Sequence, residues 1–87
     1  MSRTRARVTV RLKAAILDPQ GRAVQATLHR LGHEDVDELR VGKVVEFTLA
    51  GGPDDAEAEV RRIATDVLSN PVMEDVEIEL EPAEESG

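Results

Sequence analysis

The sequence predicts an α+β domain with the element order β-α-β-β-α-β. Three observations predict it: a strictly alternating first segment, two helix-period stretches bounded by caps, and an alternating last segment whose polar face carries the opposite charge. At 87 residues the chain has room for one hydrophobic core.

In the first segment Ala6, Val8, Val10 and Leu12 share one face, while Arg5, Arg7, Thr9, Arg11 and Lys13 share the other. A period of two is that of a half-buried strand. The alternation breaks at Ala14-Ala15-Ile16-Leu17, and Asp18-Pro19 then opens a helix. Asp18 can cap it, and Pro19 suits its first position, where the missing N–H is not needed. Val24, Leu28 and Leu31 follow at helical spacing, and Gly32 is a natural stop, because glycine accepts the left-handed conformation common after a helix.

Val36 to Leu49 reads as two strands joined near Gly42-Lys43. Leu39 and Val41 share a face of the first; Val45, Phe47 and Leu49 share a face of the second. Gly42 would supply the positive φ of a tight hairpin turn. After the loop Gly51-Gly52-Pro53, Asp54, Asp55, Glu57 and Glu59 crowd a helix N-terminus, where the dipole favours negative charge. Val60, Ile63, Ala64, Val67 and Leu68 form its expected buried stripe, and Asn70-Pro71 ends it. The last strand places Val76, Ile78 and Leu80 on one face and Glu77, Glu79 and Glu81 on the other.

This order is the ferredoxin-like one, a four-stranded antiparallel sheet with two helices on one face. The first and last strands are then neighbours, opposing Arg5, Arg7 and Arg11 to Glu77, Glu79 and Glu81. The basic run is accordingly read as cross-strand pairing rather than a nucleic-acid patch. A formal net charge of −7 points the same way, because a phosphate-binding surface must supply cations. Residues 1–81 form the expected domain and 82–87 a short acidic tail.

The apolar residues are mostly Val, Leu, Ile and Ala, with Phe47 the one aromatic. A domain of this size buries roughly 60–65% of its unfolded surface. So thin a core predicts self-association, as a homodimer or tetramer. With no cysteine, disulfides and thiolate metal sites are excluded. His29 and His33 have metal-ligand spacing on a helix, but Gly32 between them ends the helix, so no metal site is expected. The arginine-studded N-terminus lacks the apolar run of a signal peptide or membrane span, and the expected location is the cytoplasm.

No catalytic constellation emerges. Gly51-Gly52 lacks the Lys-Ser or Lys-Thr of a phosphate loop, and the carboxylates are accounted for by a helix start and a solvated strand face. Two features exceed what the fold requires. Gly21, in the first turn of a helix, costs up to about 1 kcal/mol relative to Ala. It implies either the close approach of another backbone or a helix start that tolerates glycine, and Gly21→Ala would leave the fold intact or slightly stabilised. Arg40-Val41-Gly42-Lys43 is a basic turn on an acidic chain, either a docking knob or a solvated turn.

Leu17-Asp18-Pro19-Gln20-Gly21-Arg22-Ala23-Val24 resembles the segment that opens the first helix of PurS subunits of phosphoribosylformylglycinamidine (FGAM) synthase, and Leu28-His29-Arg30-Leu31-Gly32 the end of that helix. Arg40-Val41-Gly42-Lys43, with Glu46 and Thr48-Leu49, resembles the family's central hairpin. Leu68-Ser69-Asn70-Pro71-Val72-Met73-Glu74-Asp75 resembles its link into the last strand. Where family members often carry aromatics, this chain has His33 and Val44, which removes the basis for a role by stacking.

The resemblance implies a non-catalytic small subunit of a three-component synthase of purine biosynthesis. That synthase converts formylglycinamide ribonucleotide, glutamine, ATP and water into FGAM, glutamate, ADP and phosphate. The implied partners are a large synthetase subunit, which uses the ATP and magnesium, a glutaminase subunit, and a further copy of the chain. The small subunit would bridge the other two and assist ammonia transfer. It would hold no cofactor itself and bind neither nucleic acid nor membrane. Asp18, Pro19, Gln20, Gly21, Arg40, Gly42 and Lys43 are its candidate contact residues.

Two other readings share the element order. In a small-ligand regulatory module of the ACT type, Gly21 would let a ligand reach the helix N-terminus. An RNA-binding domain would stack bases on sheet aromatics, for which Phe47 is the one candidate, on the face expected to be buried.

Overall fold

The computed structural model describes residues 2–83, so residues 84–87 of the expected tail lie outside the described residues. The strand β1, Arg3–Leu12, behaves as its alternation requires: Thr4, Ala6, Val8 and Val10 are buried, and Arg3, Arg5 and Arg7 are exposed. It is the centre of a three-stranded sheet, antiparallel on one side to β2, Lys43–Ala50, and on the other to β3, Glu74–Pro82. Ala6 lies between Phe47 and Leu80, and Val8 between Val45 and Ile78, so small central side chains are flanked by larger ones.

The helix α1 spans Pro19–Arg30 and α2 spans Pro53–Ile63. Gly52 caps α2, Pro53 takes its first turn, and Asp54 and Asp55 sit at the positive end of its dipole. Its buried residues Ala56 and Val60, with Ala64 beyond, form the core with Ala6, Val8 and Val10. All six are Ala or Val, which lets the helix lie close to the sheet.

From Ala64 to Leu68 the helix widens into a π turn, closed by Ser69 Oγ donating to the Ala64 carbonyl at 2.7 Å. A π turn holds an extra residue, which shifts the helical phase. Val67, expected in the buried stripe, is therefore turned outward and is 75% exposed, while Leu68 packs against the core.

Two expectations about the sheet are corrected. No fourth strand forms among the described residues: the stretch 33–42 is irregular, and the expected hairpin at Gly42-Lys43 is absent. Glu38 turns to a φ of +50°, which breaks any extended run. The N–H groups a strand would offer are already engaged by α1 and its cap, Leu39 N–H by Gln25 Oε1 and Val41 N–H by Asp18 Oδ2. Nor do two helices cover one face. α2 packs on β1 and β3, but α1 makes no substantial contact with any strand, and Gly21 is its one buried residue.

Instead α1 and the stretch 33–42 double back on each other as an arm. Gly32, at a φ of +100°, ends the helix: its N–H bonds the His29 carbonyl and His33 N–H the Leu28 carbonyl. His29 Nε2 then meets the Val36 carbonyl at 2.7 Å, on the returning chain. The arm makes the molecule long and thin, 52 × 31 × 15 Å. Its radius of gyration is 16.9 Å, against about 12 Å for a compact chain of this length.

The outer sheet face is the cross-strand ion ladder that the sequence implies. Arg5 meets Glu81 at 3.7 Å, Arg7 meets Glu79 at 3.8 Å and Glu46 at 3.6 Å, and Arg11 meets Glu77. These side chains are half exposed, so each pair contributes at most about 1 kcal/mol.

The π turn makes a measurable distinction between two valines of one helical run. Val60→Ala should cost about 2 kcal/mol, for two buried methyl groups lost from a site that cannot fully collapse. Val67→Ala should stay within about 0.5 kcal/mol. Urea midpoints at one fixed protein concentration will show the difference, and equal losses would mean that Val67 is packed.

Candidate functional site

The candidate residues converge where β1, α1 and β2 meet. Asp18 takes an extended backbone and caps α1, its Oδ1 accepting from Gly21 N–H at 2.9 Å. A serine or threonine cap would have one side-chain oxygen; Asp18 has a second, and Oδ2 accepts from Val41 N–H at 2.8 Å. One nearly buried carboxylate thus ties the helix start to the chain entering β2. The Gly21 and Val41 N–H groups hold its pKa below the usual carboxylate value, and the Arg40 charge adds to this, while desolvation opposes it.

Arg40 reinforces the same junction. Its guanidinium donates to the carbonyls of Ile16, at 2.8 Å, and Ala14, at 2.6 Å, binding the loop before the helix to the segment after it. Gln25 adds a third tie, from the second turn of α1 to Leu39 N–H at 3.0 Å. Gln25 was not among the residues the sequence singled out. Nothing in its spacing marks it, because its partner is a backbone group fourteen residues away.

Both glycines serve close approach. A Cβ on Gly21 would sit 2.5 Å from the Leu39 carbonyl oxygen and 2.7 Å from Asp18 Oδ2. The approaching backbone belongs to this chain, and the expectation that alanine is harmless there is overturned. Gly42 takes no positive φ and lies in no hairpin; its Cβ would sit 2.8 Å from the Val10 carbonyl oxygen, where the chain slides in against β1.

Pro19, Gln20 and Lys43 stand differently. All three are exposed, and with Val10, Val41 and Glu74 they line an open cleft of about 380 Å³ at this end of the inner sheet face. Lys43 pairs with Val10 across the strands and makes no ion pair among the described residues. Asp18 and Arg40 each bond two backbone groups, which gives them a part in holding shape. A ligand approaching the helix start as in an ACT-type module would meet the Leu39 carbonyl in the space beside Gly21. Phe47 lies on the inner face, packed against the core, while the outer face carries the ion ladder.

Residues 5–82 match the family model described as PurS, phosphoribosylformylglycinamidine (FGAM) synthase. The chain is 39% identical over 75 residues to the phosphoribosylformylglycinamidine synthase subunit PurS of Bacillus subtilis, covering 86% of this chain and 89% of that one. Its fold is similar to that of Methanocaldococcus jannaschii PurS, one of the subunits of formylglycinamide ribonucleotide amidotransferase in the purine biosynthetic pathway. That likeness has a TM-score of 0.83 at 32% identity and covers 93% of this chain and 99% of the other. A chain of PurLQS from Thermotoga maritima is similar at a TM-score of 0.82 and 25% identity, over 92% and 99% of the two chains.

Two outcomes follow from the clamp. Gly21→Ala should destabilise by about 1–3 kcal/mol, because a backbone carbonyl must shift; a urea midpoint equal to the parent's would contradict it. The second concerns acid. The folded-state pKa of Asp18 is lowered, so the unfolded chain takes up the proton first as pH falls. The stabilisation is complete above the ordinary carboxylate value of about 3.9 and is lost as pH drops through it toward the folded-state pKa. Asp18→Asn should be less stable than the parent at pH 7, and the gap should narrow below about pH 4. Thermal midpoints at the two pH values test this, and a gap that widens in acid would refute it.

Proposed function

The chain belongs to the PurS family of FGAM synthase, and on that premise we propose that it is the small, non-catalytic subunit of that ligase. In this reading it joins a large ATP-using synthetase subunit to a glutaminase subunit in purine biosynthesis, in the cytoplasm. The match over residues 5–82 carries the proposal, and likeness to a chain of PurLQS supports the subunit role.

The junction supports a bridging role in a specific way. Asp18 and Arg40 hold backbone there, and the cleft beside them presents Pro19, Gln20 and Lys43 outward. ATP and magnesium chemistry then belongs to the large subunit. Ammonia released at one site must reach another before water protonates it, so a subunit that seals the passage contributes without a nucleophile or base of its own. Self-association belongs to the same reading, because a thin core and a projecting arm leave much apolar surface uncovered.

Lys43 offers the cleanest test, since it is exposed and outside the clamp. Lys43→Glu should fold with the parent's stability to within about 0.5 kcal/mol. In a synthase reconstituted with the large and glutaminase subunits, the variant should lower glutamine-dependent FGAM formation several-fold and ammonia-dependent formation less. Full glutamine-dependent activity with the variant would remove Lys43 from the contact. Equal activity with and without the parent chain would remove the bridging role altogether.

A further inference from the structure

The Asp18 clamp sets where the arm points, and we propose that Arg40 holds it there, as the bolt of a hinge between two rigid bodies. The joints of that hinge are Leu17 on the outgoing chain and Gly42 on the returning one. Such a hinge is a property of the chain itself, whatever the chain joins.

Each body closes on itself. The arm, residues 18–41, is tied at its base by Asp18 Oδ2 and Val41 N–H, and at the second turn of α1 by Gln25 and Leu39 N–H. Further out, His29 holds the Val36 carbonyl. The other body extends past β1 as far as Ile16. Lys13 N–H bonds the Met73 carbonyl at 2.8 Å, and Ile16 N–H bonds the Lys13 carbonyl at 2.9 Å. On the returning side, the last rung of β1 with β2 pairs Val10 with Lys43. That leaves one residue of chain between the bodies on each side. Leu17 is 61% exposed, and Gly42 is the small residue that a joint often has.

Little else connects them. α1 makes no substantial contact with any strand. An open cleft of about 380 Å³ separates the bodies, with Val10, Leu12 and Glu74 on one wall and Asp18, Pro19 and Gln20 on the other. Among the described residues, the hydrogen bonds that run from 18–41 to the rest of the chain are the two from Arg40, to the carbonyls of Ala14 and Ile16. No ion pair crosses among those residues.

The chemistry of the bolt suits an angle. Two donors of one planar guanidinium, placed on two carbonyls, fix a direction as well as a distance, whereas a lysine would act as a point charge. Without them, rotation about two single-residue joints is opposed by little, and the cleft gives it room. A swing of about 20° would carry the end of a helix about 18 Å long by about 6 Å. An arm already held at one angle loses less freedom when it meets a partner than one that swings.

The test measures the angle directly. The chain has no cysteine, so Glu34→Cys on the arm and Glu59→Cys on α2 can carry a pair of spin labels. Doubly labelled chain, diluted into excess unlabelled chain, reports the distance within one copy by double electron–electron resonance. The parent should give one narrow distribution, and Arg40→Ala should broaden or shift it by about 6 Å. Amide exchange at Leu39 and Val41 should stay as slow as in the parent, because the arm's own ties remain. Gln25→Ala should do the reverse, speeding exchange at Leu39 while leaving the distance unchanged. If Arg40→Ala does not fold, Arg40→Lys replaces it and should still broaden the distribution. An Arg40 variant with the parent's narrow distribution would overturn the proposal, and so would faster exchange at Val41, which would mean that the arm itself melts. A Gln25→Ala distribution as broad as that of Arg40→Ala would equally overturn it.

Discussion

The two oxygens of Asp18 decide the shape of this molecule. One performs an ordinary task, capping the first turn of α1. The other takes the N–H of Val41, a residue that would otherwise be offered to a strand. With both filled, the helix start and the entry to β2 become one rigid point, and Arg40 extends it to the loop that leaves β1. The glycines follow from that choice. Gly21 and Gly42 are where backbone passes so close that a methyl group would meet a carbonyl oxygen at 2.5 Å and 2.8 Å. Charge-assisted bonds to backbone are stronger than neutral ones, which suits a carboxylate to this task.

Away from the clamp, the body is held by β1. It is the central strand, it supplies half of the buried core residues, and both neighbours pair with it along most of its length. Its outer face binds acidic residues of β3 and Glu46 of β2 through arginines, while the buried residues of its inner face are Thr4, Ala6, Val8 and Val10. Such a core is small, and small cores leave little margin against chain entropy. Any partner that binds only the folded form of such a subunit adds to its stability.

Assembly and fold are therefore one problem here. The arm leaves Val24 and Leu31 of α1 exposed, and Val45, Phe47 and Leu49 of β2 are half-buried. At the junction, Asp18 and Arg40 bond backbone groups, and beside it stand exposed apolar side chains such as Val24 and Leu31. The family to which the chain belongs is one of synthase subunits.

Much of this was legible in the residues. Alternation placed β1 and β3, capping chemistry placed the start of α1, an acidic run placed the first turn of α2, and Gly32 placed the end of α1, because each depends on neighbours within a few positions. The family resemblance was carried by the same local segments. Three things were decided only in three dimensions. Leu39 and Val41 alternate like a strand, but their N–H groups are taken by side chains of α1 and its cap, and no spacing encodes a bond across fourteen or twenty-three residues. Val67 has the spacing of a buried residue, but a π turn rotates it outward. The stripe on α1 was correctly read as apolar, yet whether it covers its own sheet depends on where the clamp aims the helix. Local sequence sets what each segment is; the long-range bonds of one carboxylate set where the arm points.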